Sequence, residues 1–251
     1  MPSNFHLRAA LLVAATLASL LPGAEIAGAG TQKCFGKRPT IIDGNVNDYV
    51  HVIRGTPGND VILINKGNAN KVLARGGDDR ICDRGGWSVI RGGDGRDRIS
   101  SGPDDDRLHG GDGDDLMKGG SGVRDGDDAY GGRGDDVIDG GEGRDYIFAG
   151  PGEDILKSVT EAEGGRGNDT IEGTPNTILV YGTAPRGVTV DMDAGTATGD
   201  GMDTFPGGVV AGVIGSEFDD EVDGTDGGDY FDGGDGNDIF RGYGGSDHME
   251  G

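Results

Sequence analysis

Apolar side chains are scarce in this chain: hydrophobic residues fill 33 % of its 251 positions and aromatic ones 6 %. That excludes an ordinary packed core, because too little apolar area is available to offset the ordering of so many residues. Basic residues are short as well. Against 45 Asp and Glu stand 22 Lys and Arg, a formal net charge of −23. Such a balance argues against nucleic acid and anionic membranes as partners and in favour of cations. The four histidines, His6, His51, His109 and His248, are far apart. No HExxH zinc motif and no GxSxG nucleophile elbow occurs. Ser246, Asp247 and His248 are consecutive, so they cannot converge on one reacting atom as a triad does. Runs of acids such as Asp104, Asp105 and Asp106 sit in glycine turns, where ligation or solvation explains them better than glycosidase chemistry. The chain reads as a protein that is not an enzyme.

Long apolar runs are absent apart from residues 9–21. His6 and Arg8 precede that run, Pro22 and Gly23 break it, and Ala27, Gly28 and Ala29 form an A-x-A cleavage site. Residues 1–29 are therefore expected to be a secretory signal peptide cut after Ala29, with Ala24 as the other choice. A run of thirteen residues is too short for a stable bilayer span, so no membrane span is expected once the signal is removed. An uncleaved anchor is the alternative. Cysteine occurs twice, as Cys34 and Cys82. In an oxidising compartment an even pair is most simply a disulfide, here tying the irregular segment 30–54 to the first repeats.

What the chain has in quantity is glycine, 54 residues of it, and a period accounts for them. Residues 92–118 read GGDGRDRIS, SGPDDDRLH and GGDGDDLMK, three contiguous nonapeptides. Asp97, Asp106 and Asp115 hold the sixth position; Ile99, Leu108 and Met117 hold the eighth. Glycines allow the tight turn, the turn aims carbonyl oxygens at one spot, and the aspartate adds a carboxylate. A mixed oxygen set of this kind suits Ca²⁺, which takes six to eight such ligands. The three residues after each aspartate suffice for a very short strand, whose middle side chain must face inward.

The rhythm begins at Gly55 with Asp60 and Ile62, and then keeps apolar residues nine apart at Val72, Ile81 and Ile90. The sixth position is Asn70, Asp79 and Ser88 over these turns, a lead-in with fewer ligands. Three extra residues around Val123 to Asp125 interrupt it. Asp127, Asp136, Asp145 and Asp154 follow, then six extra residues (158–163), then Asp169. The stretch GTPNTILVY keeps Val180 in the apolar register but puts Ile178 where the aspartate belongs. Residues 182–214 have no nonapeptide rhythm and read as a spacer. From Gly215 the pattern returns with Asp220, Asp229, Asp238 and Asp247.

Two nonapeptides make one coil, so eighteen residues climb one layer. Asp97 should then lie over Asp79 and under Asp115, with Asp106 in a second column opposite. Stacked carboxylates repel, and a cation between layers makes the arrangement favourable, so binding should be coupled to folding.

Residues 55–181 and 215–251, with their GGxGxDxUx repeats, resemble the RTX calcium-binding β-roll. The resemblance implies an all-β, right-handed parallel β-roll in two repeat blocks, a calcium-stapled solenoid. Several Ca²⁺ ions would be held between successive turns by turn carbonyls and the sixth-position aspartates. Residues 187–204, GVTVDMDAGTATGDGMDT, also look like spacers common in such chains. Many members of the family leave the cell by a one-step exporter that reads a C-terminal signal. The N-terminal signal here favours the general secretory route and an extracellular location. Two functions remain open: a stand-alone secreted calcium-binding module, with a cell-surface or self-association partner unidentified, or an accessory or truncated part of a larger exported enzyme or adhesin.

Overall fold

The computed structural model describes residues 32–43, 51–65, 69–121 and 126–251. The expected signal peptide and its cleavage site, and the three-residue interruption at Val123 to Asp125, lie outside the described residues. From Cys34 onward the chain forms one compact unit. It is all-β, with no helix among the described residues, and hence none long and apolar enough to cross a membrane.

Each repeat makes one short strand after its aspartate, and successive strands go alternately to two sheets. Arg98–Gly102 and Leu116–Gly120 pair in parallel in a thirteen-stranded sheet, with Ile99 opposite Met117. Trp87–Asp94 and Arg107–Asp112 pair in parallel in an eleven-stranded sheet, with Ile90 opposite Leu108. The chain is thus a parallel β-solenoid in which two nonapeptides complete one layer, as the RTX β-roll requires.

The middle residue of each strand points between the sheets, because side chains alternate along a strand. Ile62, Ile81, Ile99, Met117, Ile138 and Leu156 line one wall, and Val72, Ile90, Leu108 and Ile147 the other, all at 0 % exposure. One large apolar residue per repeat supplies most of the core, with Ile64, Ala74, Ala149 and Val159 added at a second inward position. Burial fades in the last layers, where Phe240 is half-buried and Met249 is 48 % exposed.

Residues 34–40 lie against the first layers of the thirteen-stranded sheet. Cys34 and Cys82 are bonded, with an S–S distance of 2.16 Å across a sequence separation of 48. The Thr40 N–H donates to the Val61 carbonyl, and the Arg98 guanidinium sits 5.8 Å from the Phe35 ring centre.

Two stretches depart from the count of nine. Residues 158–163 are not an interruption: Glu161–Glu163 is a strand of the eleven-stranded sheet, with Ala162 facing inward. This repeat has lost three turn residues and kept its strand. In GTPNTILVY the turn is one residue short, so Leu179 is the buried residue and Thr177, not Ile178, takes the aspartate's place. Val180, expected inward, is half-buried on the outer side.

Residues 182–214 have no rhythm in sequence, yet they carry the roll onward. Thr189–Asp191, Thr196–Thr198 and Met202–Thr204 enter the thirteen-stranded sheet, the middle one antiparallel to both neighbours. Gly212–Ile214 bridges Ile178–Val180 and Tyr230–Asp232 in the other sheet.

Candidate metal centre

The sixth-position aspartates from Asp60 to Asp229 are buried at the turns, and hydrogen bonds link the aspartates along the solenoid. The Asp79 N–H donates to Asp97 Oδ1 at 2.8 Å, and the Asp97 N–H donates to Asp115 Oδ1 at 2.7 Å. Asp60 stands before this column; Asp136, Asp154, Asp169 and Asp203 continue it by the same contact. In the opposite column the N–H groups of Ser88, Asp106 and Asp127 donate to Asp106, Asp127 and Asp145. Farther along, Asp220 receives the Val188 N–H, Asp238 the Asp220 N–H, and Asp247 the Asp229 N–H. Asp238 and Asp247 are only half-buried.

These bonds use one carboxylate oxygen and leave the other. The Oδ2 atoms of Asp79, Asp97, Asp106, Asp115, Asp127, Asp136, Asp154 and Asp169 are buried without a hydrogen-bond partner. A buried anionic oxygen without a donor is costly, and the acidities show it. Burial pushes Asp97 and Asp136 up to about 6, Asp79, Asp127 and Asp169 to about 7, and Asp106, Asp115 and Asp154 to about 8. The N–H each carboxylate receives pulls the other way. Neighbouring acids add to the rise.

Beside each such oxygen is a small cradle. A Cβ added to Gly92 would lie 2.1 Å from Asp97 Oδ2 and 2.8 Å from the Gly110 carbonyl oxygen of the next layer. At Gly110 the same atom would meet Asp115 Oδ2 at 2.2 Å and the Gly131 carbonyl oxygen at 2.6 Å. One carboxylate oxygen and one carbonyl oxygen from adjacent layers thus flank a space that only glycine leaves open. Among the described residues no three acidic, histidine or cysteine side chains converge on one point. The remaining ligands must therefore come from the main chain, and an all-oxygen set of carboxylate and carbonyls fits Ca²⁺.

The turns fall into two groups. At Asp60, Asp220 and Asp229 the second oxygen is not orphaned: Thr56, Ser216 and Thr225 donate their N–H groups to it at 2.6, 2.6 and 2.7 Å.

Three buried carboxylates escape the nonapeptide count: Asp203, Asp83 and Glu163, the last accepting from the Thr183 hydroxyl. Asp203 is 1 % exposed; its Oδ1 takes the Asp169 N–H at 3.0 Å and its Oδ2 the Tyr181 hydroxyl at 3.2 Å. The signal was present as TGDGMDTFP, with Asp203 sixth and a buried Phe205 eighth, inside the stretch read as a spacer. Asp83 opens the turn that Ser88 ends. The Ser88 hydroxyl donates to Asp83 Oδ2, so acid and hydroxyl have exchanged ends.

A family model described as the RTX calcium-binding nonapeptide repeat matches the chain in four copies, over residues 91–124, 122–156, 162–175 and 214–249. The comparison with curated proteins gave no match.

Proposed function

We propose, from the premise that this chain carries calcium-binding RTX repeats, that it is an exported β-roll whose folding is coupled to Ca²⁺ uptake between its layers. The observation that carries this reading is the row of buried aspartate oxygens without partners. The ligand set would comprise Asp79, Asp97, Asp106, Asp115, Asp127, Asp136, Asp145, Asp154 and Asp169, with Asp238 and Asp247 in the later layers, each joined by turn carbonyls. Bound Ca²⁺ supplies the positive charge that these carboxylates lack. The chain's own part is to hold the carboxylates in register through the N–H donated by the neighbouring layer. Glycine keeps the space beside them open. With about one large apolar side chain buried per repeat, apolar burial alone is too small to order the roll, which supports coupling of binding to folding.

Export is supported by the cysteine pair, since disulfides persist in oxidising compartments, and by the leader-like residues 1–29. The repeats are not themselves catalytic, and the roll acts by binding. Circular dichroism of the leader-free chain during a calcium titration tests the reading. The chain should be largely unfolded in chelator and gain β structure at about 10⁻⁴–10⁻³ M calcium, the range of extracellular modules. A chelated spectrum already rich in β structure and unchanged by calcium would refute it.

A further inference from the structure

The two groups of turns differ at their second residue. In the turns that end at Asp79, Asp97 and Asp115 that residue is Arg75, Gly93 or Gly111, with φ of +89°, +122° and +126°. In the turns that end at Asp60, Asp220 and Asp229 it is Thr56, Ser216 or Thr225, and none of these has positive φ. The physical reason is steric: left-handed backbone is open to glycine and costly for most other residues, β-branched ones above all. The change of φ turns the second N–H toward the carboxylate. The hydroxyl of the same residue follows it, reaching Asp60 at 3.0 Å, Asp220 at 2.9 Å and Asp229 at 3.1 Å. The cradle is otherwise retained. A Cβ on Gly55 would lie 2.8 Å from Asp60 Oδ2 and 2.5 Å from the Ala74 carbonyl oxygen of the next layer.

We infer that the second residue of each turn selects what occupies its carboxylate. A residue with positive φ leaves Oδ2 to a cation; a serine or threonine satisfies it from within. The turns of Asp60, Asp220 and Asp229 are therefore closed without metal. Bringing a cation to these oxygens would strip a buried carboxylate of two donors and leave an N–H unpaired, a cost that the glycine turns do not carry. The short Ser/Thr–Asp motif is a local alternative to a ligand, as such side-chain-to-backbone bonds are elsewhere. In chain order the closed turns stand on either side of the orphaned series from Asp79 to Asp169.

This inference rests on the calcium reading above, and native mass spectrometry of the disulfide-bonded, leader-free chain in calcium separates the two. Asp97→Asn should hold fewer ions than the unmodified chain, and Asp60→Asn the same number. Thr56→Gly should hold one more, since it removes the hydroxyl donor and permits the positive φ that turns the N–H away from Oδ2. Loss of an ion from Asp60→Asn, or an unchanged count in Thr56→Gly, would overturn the inference while leaving the calcium reading intact. An unmodified chain that holds no calcium would overturn both.

Discussion

Replacing Asp97 by asparagine should move the metal-free and the calcium-loaded protein in opposite directions. The side chain is at 0 % exposure, with Oδ1 bonded to the Asp79 N–H and Oδ2 without a partner. An amide of the same shape keeps the acceptor for that N–H and removes only the charge. Burial raises the carboxyl from 3.8 to about 6. At about 1.4 kcal/mol per pH unit, an ionised Asp97 costs the metal-free fold at most about 3 kcal/mol. The effective dielectric near a protein surface is well above that of a dry interior, which reduces this to about 1–2 kcal/mol. In chelator at pH 8 the variant should therefore retain more β structure than the parent. In calcium the sign reverses, because a ligand charge is gone. If the loss is about 1.4 kcal/mol or more, the calcium midpoint for folding rises at least about tenfold. Circular dichroism in the two buffers reads both effects. A variant that is weaker in chelator as well as in calcium would refute the argument, since Asp97 would then serve only as a hydrogen-bond acceptor.

The same burial sets a pH dependence for the metal-free fold. Asp79, Asp115 and Asp154 are raised to about 7, 8 and 8, so the folded chain binds more protons than the unfolded one above pH 3.8. The stability this provides is fully present below about pH 4 and is lost as pH rises toward 8. Chelated protein should thus gain β structure on acidification from pH 8 to pH 4, and a flat profile would contradict it. Breaking the cross-link by Cys34→Ser opens a loop with a separation of 48 residues, worth about 4 kcal/mol by loop-closure entropy. Urea unfolding in calcium should show a loss of that order, and no loss would mean that residues 34–40 add nothing to the roll.

The layer structure was legible in the sequence because its two determinants are local. An apolar residue every nine positions sets the inward face, and an aspartate two residues before it sets the column. Asp97 does lie between Asp79 and Asp115, and Asp106 in the opposite column with Asp127. A fixed period misses the shortened repeats. Counting by nine assumes a fixed turn, whereas the fold conserves the strand and lets the turn shrink. Thr177 and the strand Glu161–Glu163 were misplaced for that reason. Asp203 follows a hairpin that no count spans. The motifs GTPGND, GSEFDD and GTDGGD were visible from the start. Their meaning depends on where one N–H points, which residue types alone do not state.

A layer of this roll has a fixed height and a free circumference. Height comes from the spacing of paired strands, about 4.8 Å, whatever the number of residues in the coil. The step from Asp97 to Asp115 takes 18 residues, from Asp115 to Asp136 21, from Asp154 to Asp169 15, and from Asp169 to Asp203 34. Every one of these steps delivers a carboxylate to the N–H one layer away, at 2.7 to 3.0 Å. Length added at a tip widens the outline of a single coil and leaves the pitch of the stack alone. Foreign peptide could therefore be spliced in beside the exposed Ser121, displayed at a known height along the axis, with the coils above and below unaware of it.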